Sequence, residues 1–588
     1  MGRITDYDRL DALSDDDAIV VETKEGTRHI TKGALDAEYS LNPGKNIEIS
    51  NKTINVVTSD EISENNDRPV TSNSLFHALK YKQNVLSPGE GIKIDNGTIS
   101  IHIPEKYGVC RDIPSHSPVL ERVGDAKGLV AETALGNNAV RNDFDSIYPW
   151  CDIKRCTLAD DGAVTSYEGD PDFATDGSKG QVMVEIPVYW KAHYLNESGT
   201  KEYTYISREK ADSRYFIPKR FIDKNGNVLN KIYIAAYAVT IDADGKAESR
   251  TGTEGPVIRD LETMKAYCEA RGDGWHPYGI WDYEVIKDLF TVEFATLDTQ
   301  SIMLGVQESS YTESVLCYSS AEMWSRDDTT GLTETVTSFV EECDEPSLCI
   351  GQEVCINAAD TASATGAFDS IDENTAIVRR VITGIEKINL QWTGDEGETY
   401  DTPGCLYNFE GLPVKVYGEF TVKSSFSRNG LTDFINTPTG ELCGQDFKRP
   451  FKYRHMENIY CGQQSFLFGV LVKGGEYYVC ENPEEYGKTV MDTYKKLSYS
   501  RPEASGYIME MGCDTMYPYV CLPEKIGGTS DTDFCDEFRK EGGRVDPERS
   551  NTMHLKGGGT LSSGLYALET IHTTDFSATR LSYSCCDA

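Results

Sequence analysis

Basic residues are scarce in this chain: 57 Lys and Arg stand against 95 Asp and Glu, a net charge of −38 over 588 residues. A nucleic-acid-binding surface needs a clustered lysine/arginine excess to neutralise phosphates, so that class is excluded as the main role. The same deficit argues against docking on an anionic membrane. Long apolar runs are missing too. The most apolar stretches, 232–241 and 466–472, are far too short to cross a bilayer. Met1-Gly2-Arg3-Ile4-Thr5-Asp6 has no apolar signal-peptide core. The expectation is synthesis in a reducing cytoplasm, with most of the 17 cysteines as thiols.

Catalytic and metal-binding motifs are equally scarce. The nine histidines include no i, i+4 ligand pair. There is no phosphate loop before Lys-Ser/Thr, no nucleophile elbow and no dinucleotide glycine pattern. Cys343-x5-Cys349-x5-Cys355 and Cys151-x4-Cys156 lack the tight paired spacing of zinc ribbons. Nothing near Cys585-Cys586 in sequence supplies a base. Asp223-Lys224-Asn225-Gly226-Asn227 has the look of a calcium loop but no downstream bidentate Glu, so it reads as a hairpin turn. With so many carboxylates, no pair stands out for glycoside hydrolysis. The expectation is no enzyme, no cofactor and no metal.

What is present is β-forming material. Aromatics make up 10%, with 33 Tyr against 20 Phe and 6 Trp. Tyrosine suits half-buried sheets and adhesive surfaces. Residues 1–40 read as a small module in which 18–22 and 27–30 form a hairpin. Residues 41–104 hold an internal repeat. Leu41-Asn42-Pro43-Gly44-Lys45-Asn46-Ile47-Glu48-Ile49 returns as Leu86-Ser87-Pro88-Gly89-Glu90-Gly91-Ile92-Lys93-Ile94, each copy with a turn and a second short strand. Each hairpin is too small to hold a core. Two organisations follow: a short multi-strand domain, or a stalk in which copies from three chains stack. A short helix is expected over 69–80.

From 105 on, 181–190 and 231–239 alternate as strands. Asp260 is placed to cap a helix over 261–270, and Asp282 one over 283–295 with Val285, Ile286, Leu289 and Phe290 as its apolar side. Residues 310–420 read as a β insertion between the two parts of a head, 105–309 and 421–588. The fold class expected is mainly β with an α+β head.

Arg449-Pro450-Phe451-Lys452-Tyr453-Arg454-His455-Met456-Glu457-Asn458-Ile459-Tyr460 resembles the PF-YRG-EN-W signature of C-type-lectin-fold proteins of the formylglycine-generating-enzyme type. Asn429-Gly430-Leu431-Thr432-Asp433 before it, and Gly564-Leu565-Tyr566 and Ala578-Thr579-Arg580-Leu581-Ser582-Tyr583 after it, resemble further segments of that group. Gln464 stands where the family has a second Trp. Such domains recur in phage receptor-binding proteins, including retroelement-diversified ones. Ile4-Thr5-Asp6 with Leu13-Ser14-Asp15-Asp16-Asp17 resembles a virion-attachment start, and the repeats resemble trimeric fibre shafts.

The resemblance implies a virion protein, made in the host cytoplasm and acting outside it. Its expected partners are two further copies in a homotrimer, other virion proteins through 1–40, and a host-cell receptor. That describes a tail-fibre adhesin, with a capsid head fibre or a formylglycine-generating-type oxidase as alternatives. The wider fold's enzymes use a reactive Cys pair, onto which Cys585-Cys586 does not map. The ligand face would come from loops carrying Tyr460, Gln463, Ser550, Asn551, His554, Thr560, Ser562, Ser563, Tyr566, Glu569, His572, Thr574 and Asp575. Tyr453 and Arg580 would be structural.

Overall fold

The computed structural model describes six strands within the first 103 residues (18–23, 26–31, 47–50, 53–56, 92–95 and 98–101). From residue 104 it describes everything except 254–259, 307–311, 320–321, 324–332, 351, 359–375, 394–396, 426–428, 443–448, 461–463, 488, 491, 541–549, 557–562, 571–583 and 587–588. The helix expected over 69–80 lies outside the described residues. The protein is mainly β, 44% strand, with two α-helices described. The chain divides into two units, 1–104 and 105–588.

In the first unit, Ala18–Thr23 and Gly26–Thr31 form an antiparallel hairpin from Ala18↔Thr31 to Thr23↔Gly26. The two repeat copies form hairpins of their own, Ile47–Ser50 with Thr53–Val56 and Ile92–Asp95 with Thr98–Ile101. They meet within one chain, Asn55 pairing with Ser100, to give a four-stranded antiparallel sheet. A repeat of hairpins too small for independent stability thus acquires sheet neighbours from its own second copy.

The second unit is built on three sheets around a central helix. A six-stranded sheet includes the expected pair Gln181–Pro187 and Lys231–Ala235, with Ser584–Cys586 between Lys231–Ala235 and Trp275–Pro277. A four-stranded sheet runs in the order Trp190–Leu195, Lys201–Ser207, Lys106–Asp112, Glu121–Gly124. An eight-stranded sheet carries most of the C-terminal region, from Tyr494–Ser500 at one edge to the hairpin Gly506–Cys513/Cys521–Ile526 at the other.

Helix α1 (Leu261–Glu269) starts where Asp260 is placed to cap it: the Thr263 amide donates to Asp260 Oδ1 at 3.0 Å. Helix α2 (Ile280–Phe294) begins three residues before the expected position. Asp282 is not its N-cap but its third residue, and its carboxylate accepts from the Gly279 amide at 2.8 Å, the back-reaching half of a capping box. The expected one-sided stripe is also replaced, because all fifteen α2 residues are buried. Trp150 and Tyr189 pack against it, the indole of Trp150 donating to the Leu289 carbonyl at 3.2 Å and the Tyr189 hydroxyl to the Val285 carbonyl at 3.5 Å.

The strands between Thr312 and Ser425 have a separate core. Ala376–Thr393, Glu353–Ala358, Glu419–Ser425, Thr312–Tyr318, Ser338–Glu342 and Thr399–Glu410 pair in that order, and the last pairs again with the first. The sheet closes on itself, a near-barrel that leaves few free edges. Phe339, Tyr407, Phe409 and Phe420 fill it, with the Phe339 and Tyr407 rings 5.2 Å apart.

Candidate functional site

Seven of the thirteen residues expected on the ligand face are described, and none is more than 6% exposed. Ser550, Asn551 and His554 lie inside the strand Ser550–Leu555, not on a loop. Tyr460 donates its hydroxyl to the carbonyls of Thr299 (3.0 Å) and Met303 (2.7 Å). The Ser563 amide donates to Gln300 Oε1, and Glu569 accepts from the Gln464 amide group. Tyr566 shares a 2.5 Å hydrogen bond with Thr291 of α2. Of these hydrogen bonds, only that of Tyr566 reaches helix α2; Tyr460 and Ser563 bind the 299–303 segment and Glu569 binds Gln464. Of the seven, Ser550, Asn551, His554 and Glu569 lie in strands and Tyr460, Ser563 and Tyr566 on connecting segments; all are buried, because a polar group is stable in the interior once it is hydrogen-bonded. Gln463, Thr560, Ser562, His572, Thr574 and Asp575 lie outside the described residues, as does Arg580.

The signature residues are buried as well. Arg454 grips Glu293 of α2 through Nε (3.0 Å) and Nη2 (2.5 Å). Glu457 accepts from the Thr432 amide (2.9 Å) and hydroxyl (2.8 Å), which ties it to the Asn429–Asp433 segment. Burial pushes its carboxyl up to about 7 against those hydrogen bonds. Asn458 Oδ1 accepts from the Phe451 amide. Tyr453 is fully buried, the structural role expected for it.

An open cleft of about 610 Å³ lies elsewhere on the head. Three loops meet there. The first, Asp223–Asn227, is the expected turn: Asp223 Oδ1 accepts from the amides of Asn225 (2.8 Å) and Asn227 (2.7 Å). The second follows α1, where Gly272 and Gly274 both have positive φ; a Cβ on Gly272 would stand 2.7 Å from the Asp160 carbonyl oxygen. The third carries Glu481, Asn482 and Glu484. The floor is fixed by two indoles, Trp275 donating to the Asp160 carbonyl (2.9 Å) and Trp281 to the Cys480 carbonyl (2.8 Å). Lys224–Glu484 (2.7 Å) and Lys219–Glu481 (3.2 Å) bridge the rim.

A second constellation is small and chemically sharper. Period-two alternation puts Lys191 and His193 on one face of the four-stranded sheet. His193 lies opposite Thr204, and Glu202 opposite Arg111 on the next strand. His193 Nδ1 is 3.0 Å from the Thr204 hydroxyl. Its Nε2 is 3.2 Å from Glu202 Oε1, 3.3 Å from Cys513 Sγ and 3.9 Å from Cys521 Sγ. The cysteines are direct cross-strand partners in the Gly506–Ile526 hairpin, their sulfurs 2.6 Å apart.

Helix α2 holds this centre from behind. The Cys521 amide donates to Glu284 (3.0 Å), and Lys287 donates to the Cys521 carbonyl (2.8 Å). Lys191 pairs with Asp288 at 2.7 Å. A cavity of about 60 Å³ adjoins, lined by His193, Glu202, Cys521 and Tyr566 among others.

The hydrogen bond from Cys513, then the charges of His193 and Lys287, hold the Cys521 thiol well below its ordinary range against burial. Burial alone would lower His193, but Cys521 and Glu202 outweigh it and hold the imidazole near 10. Burial would raise Glu202, yet His193 and Arg111 draw it down to about 2. No local motif could have revealed this centre, because 320 residues separate His193 from Cys513. The nearest signal was the Cys513-x7-Cys521 spacing, informative only once a hairpin is recognised. No protein-family model matches the chain, and neither does any curated protein.

Proposed function

We propose that the chain is a phage structural adhesin, a tail-fibre or receptor-binding protein whose head binds a host-cell glycan or protein. On this reading 1–40 attach to other virion proteins, 41–104 join three chains, and 105–588 form the lectin-type head. The same head on a capsid fibre would act alike. The observation that best supports recognition is the 610 Å³ cleft: loops from three distant parts of the chain converge on an indole-anchored floor, with Asn225, Asp273 and Asn482 on its rim. Such a rim offers amide and carboxylate groups to hydroxyl-rich or peptide ligands, and a rigid frame keeps the ordering cost of binding low. Three heads on one stalk would gain apparent affinity of order 10²–10⁴ over a single head.

The oxidase alternative draws on the Cys513–Cys521 pair. The adjoining cavity of about 60 Å³ has room for water rather than for a peptide segment, so that alternative has weaker support.

The test is binding of labelled full-length protein to a panel of bacterial cells and glycans, against the triple variant Asn225→Ala, Asp273→Ala, Asn482→Ala. The wild type should bind a subset that the variant no longer binds while keeping its unfolding midpoint. Equal binding by the folded variant removes the cleft as the ligand seat.

A further inference from the structure

We propose that His193, Cys513 and Cys521 form a binding site for zinc(II), with the fourth coordination position open toward the cavity beside Glu202. The proposal is independent of the adhesin reading.

Two thiolates and an imidazole are a ligand set for a thiophilic d¹⁰ ion and a poor one for magnesium or calcium. Zinc bonds of about 2.0–2.1 Å to nitrogen and about 2.3 Å to sulfur place neighbouring N and S ligands of a tetrahedron about 3.6 Å apart. The two N···S distances, 3.3 and 3.9 Å, bracket that value. The sulfurs, at 2.6 Å, would have to part to about 3.8 Å. Cys513 is exposed and ends its strand, so its side chain has room to turn. Cys521 is held by α2 on both its amide and its carbonyl.

The imidazole is oriented as a ligand. Nδ1 faces the Thr204 hydroxyl, and with Nδ1 as donor the Nε2 lone pair points at the sulfurs. A Cys–His–acid nucleophile would need the opposite arrangement: one ring nitrogen on the sulfur and the other on the carboxylate. Here the same Nε2 faces both the sulfurs and Glu202. Charge points the same way. With His193 neutral, as ligation through Nε2 requires, Arg111, Lys191 and Lys287 line the cavity against Glu202, Glu284 and Asp288, a formal balance. Two added thiolates find their counter-charge in a divalent ion. The cavity has room for water in the fourth position, where Glu202, 3.2 Å from Nε2, is placed to accept its hydrogen bond.

The experiment uses the full chain, purified under reducing conditions, stripped with chelator, loaded with zinc alone and desalted. Elemental analysis should find one zinc per chain, and cobalt(II) loading should give thiolate-to-metal charge-transfer absorption. Cys513→Ser with Cys521→Ser should lose both. Thr204→Val removes only the group that orients the imidazole, so it should stay folded and bind zinc about 10–100-fold more weakly in chelator competition. Wild-type protein that holds no zinc, a Cys513–Cys521 disulfide that survives reductant, retention of zinc by the double serine variant, or unchanged affinity in Thr204→Val would each overturn the site.

Discussion

Removing one charge from the Arg454–Glu293 pair should expose how the head is held together. Arg454 is 1% exposed and Glu293 is fully buried. Two parallel hydrogen bonds join them, and Asn142 donates a third to Glu293 at 2.7 Å. Glu293→Gln keeps the shape and leaves a partner for Asn142, but strands a guanidinium whose remaining anion, Asp145, is 44% exposed. Breaking a buried pair from one side costs about 3–5 kcal/mol, because the surviving charge is left desolvated. Replacing both members, Glu293→Leu with Arg454→Met, removes the stranded charge and should cost less than the sum of the single changes by about 2 kcal/mol or more. The assay is urea unfolding followed by intrinsic fluorescence. Glu510→Gln, which breaks the exposed Lys525–Glu510 pair, is the internal contrast and should change stability by about 0.5 kcal/mol or less. A Glu293→Gln cost no larger than that of Glu510→Gln, or strict additivity in the double variant, would refute the reasoning.

Two further outcomes follow from buried acids and from the repeats. Burial raises Asp536 to about 7 despite the Gly564 and Tyr566 amides and nearby Lys556, with Asp298 adding to the rise. Between about 4 and 7 the folded state therefore holds a proton that the unfolded chain has released. Its stability contribution is complete below the unfolded value and is lost as pH rises through 7, at no more than about 1.4 kcal/mol per pH unit. Asp536→Asn should lack that slope, so the wild-type-minus-variant stability curve should fall between about pH 4 and 7; a flat difference curve would show that Asp536 is ionised throughout. If 41–104 join three chains as proposed, light scattering should find three chains per particle in the full-length protein and one after 41–104 is deleted; an unchanged chain number would refute that role for 41–104.

Local signals carried part of this fold into the sequence. The Asp260 cap, the alternation at 181–187 and 231–235, the Asp223–Asn227 turn and the paired repeats are all set by neighbours within a few residues or by side-chain period. The α2 start lies three residues before the expected one, because an Asp that reaches back as the third helical residue looks, in sequence, like an N-cap. Seven of the expected ligand residues are buried, because hydrogen bonds to remote groups, such as Tyr460 to Met303, let polar side chains enter the interior. The thiol–imidazole centre was illegible because its three donors come from separate strands and depend on two registers, His193↔Thr204 and Cys513↔Cys521.

Helix α2 explains why these features coexist. A helix buried on every side would be expected to be apolar all round, yet α2 carries Asp282, Glu284, Lys287, Asp288 and Glu293. Each is matched: Asp282 with Arg220 (2.5 Å), Glu284 with Lys287 (2.5 Å), Asp288 with Lys191 (2.7 Å) and Glu293 with Arg454 (2.5 Å). Buried pairs add little net stability after desolvation; Glu284–Lys287 lies within the helix and moves with it, but a helix shifted along or rotated about its axis would part Asp282, Asp288 and Glu293 from Arg220, Lys191 and Arg454 at several kcal/mol each. The pairs therefore act on position more than on total stability. Trp281 in the first turn lines the cleft, Glu284 and Lys287 hold Cys521, and Glu293 receives the signature arginine. One charge-registered helix thus sets the cleft floor, the thiol–imidazole centre and the signature arginine at fixed axial positions, which a greasy helix of the same length would leave free to slide.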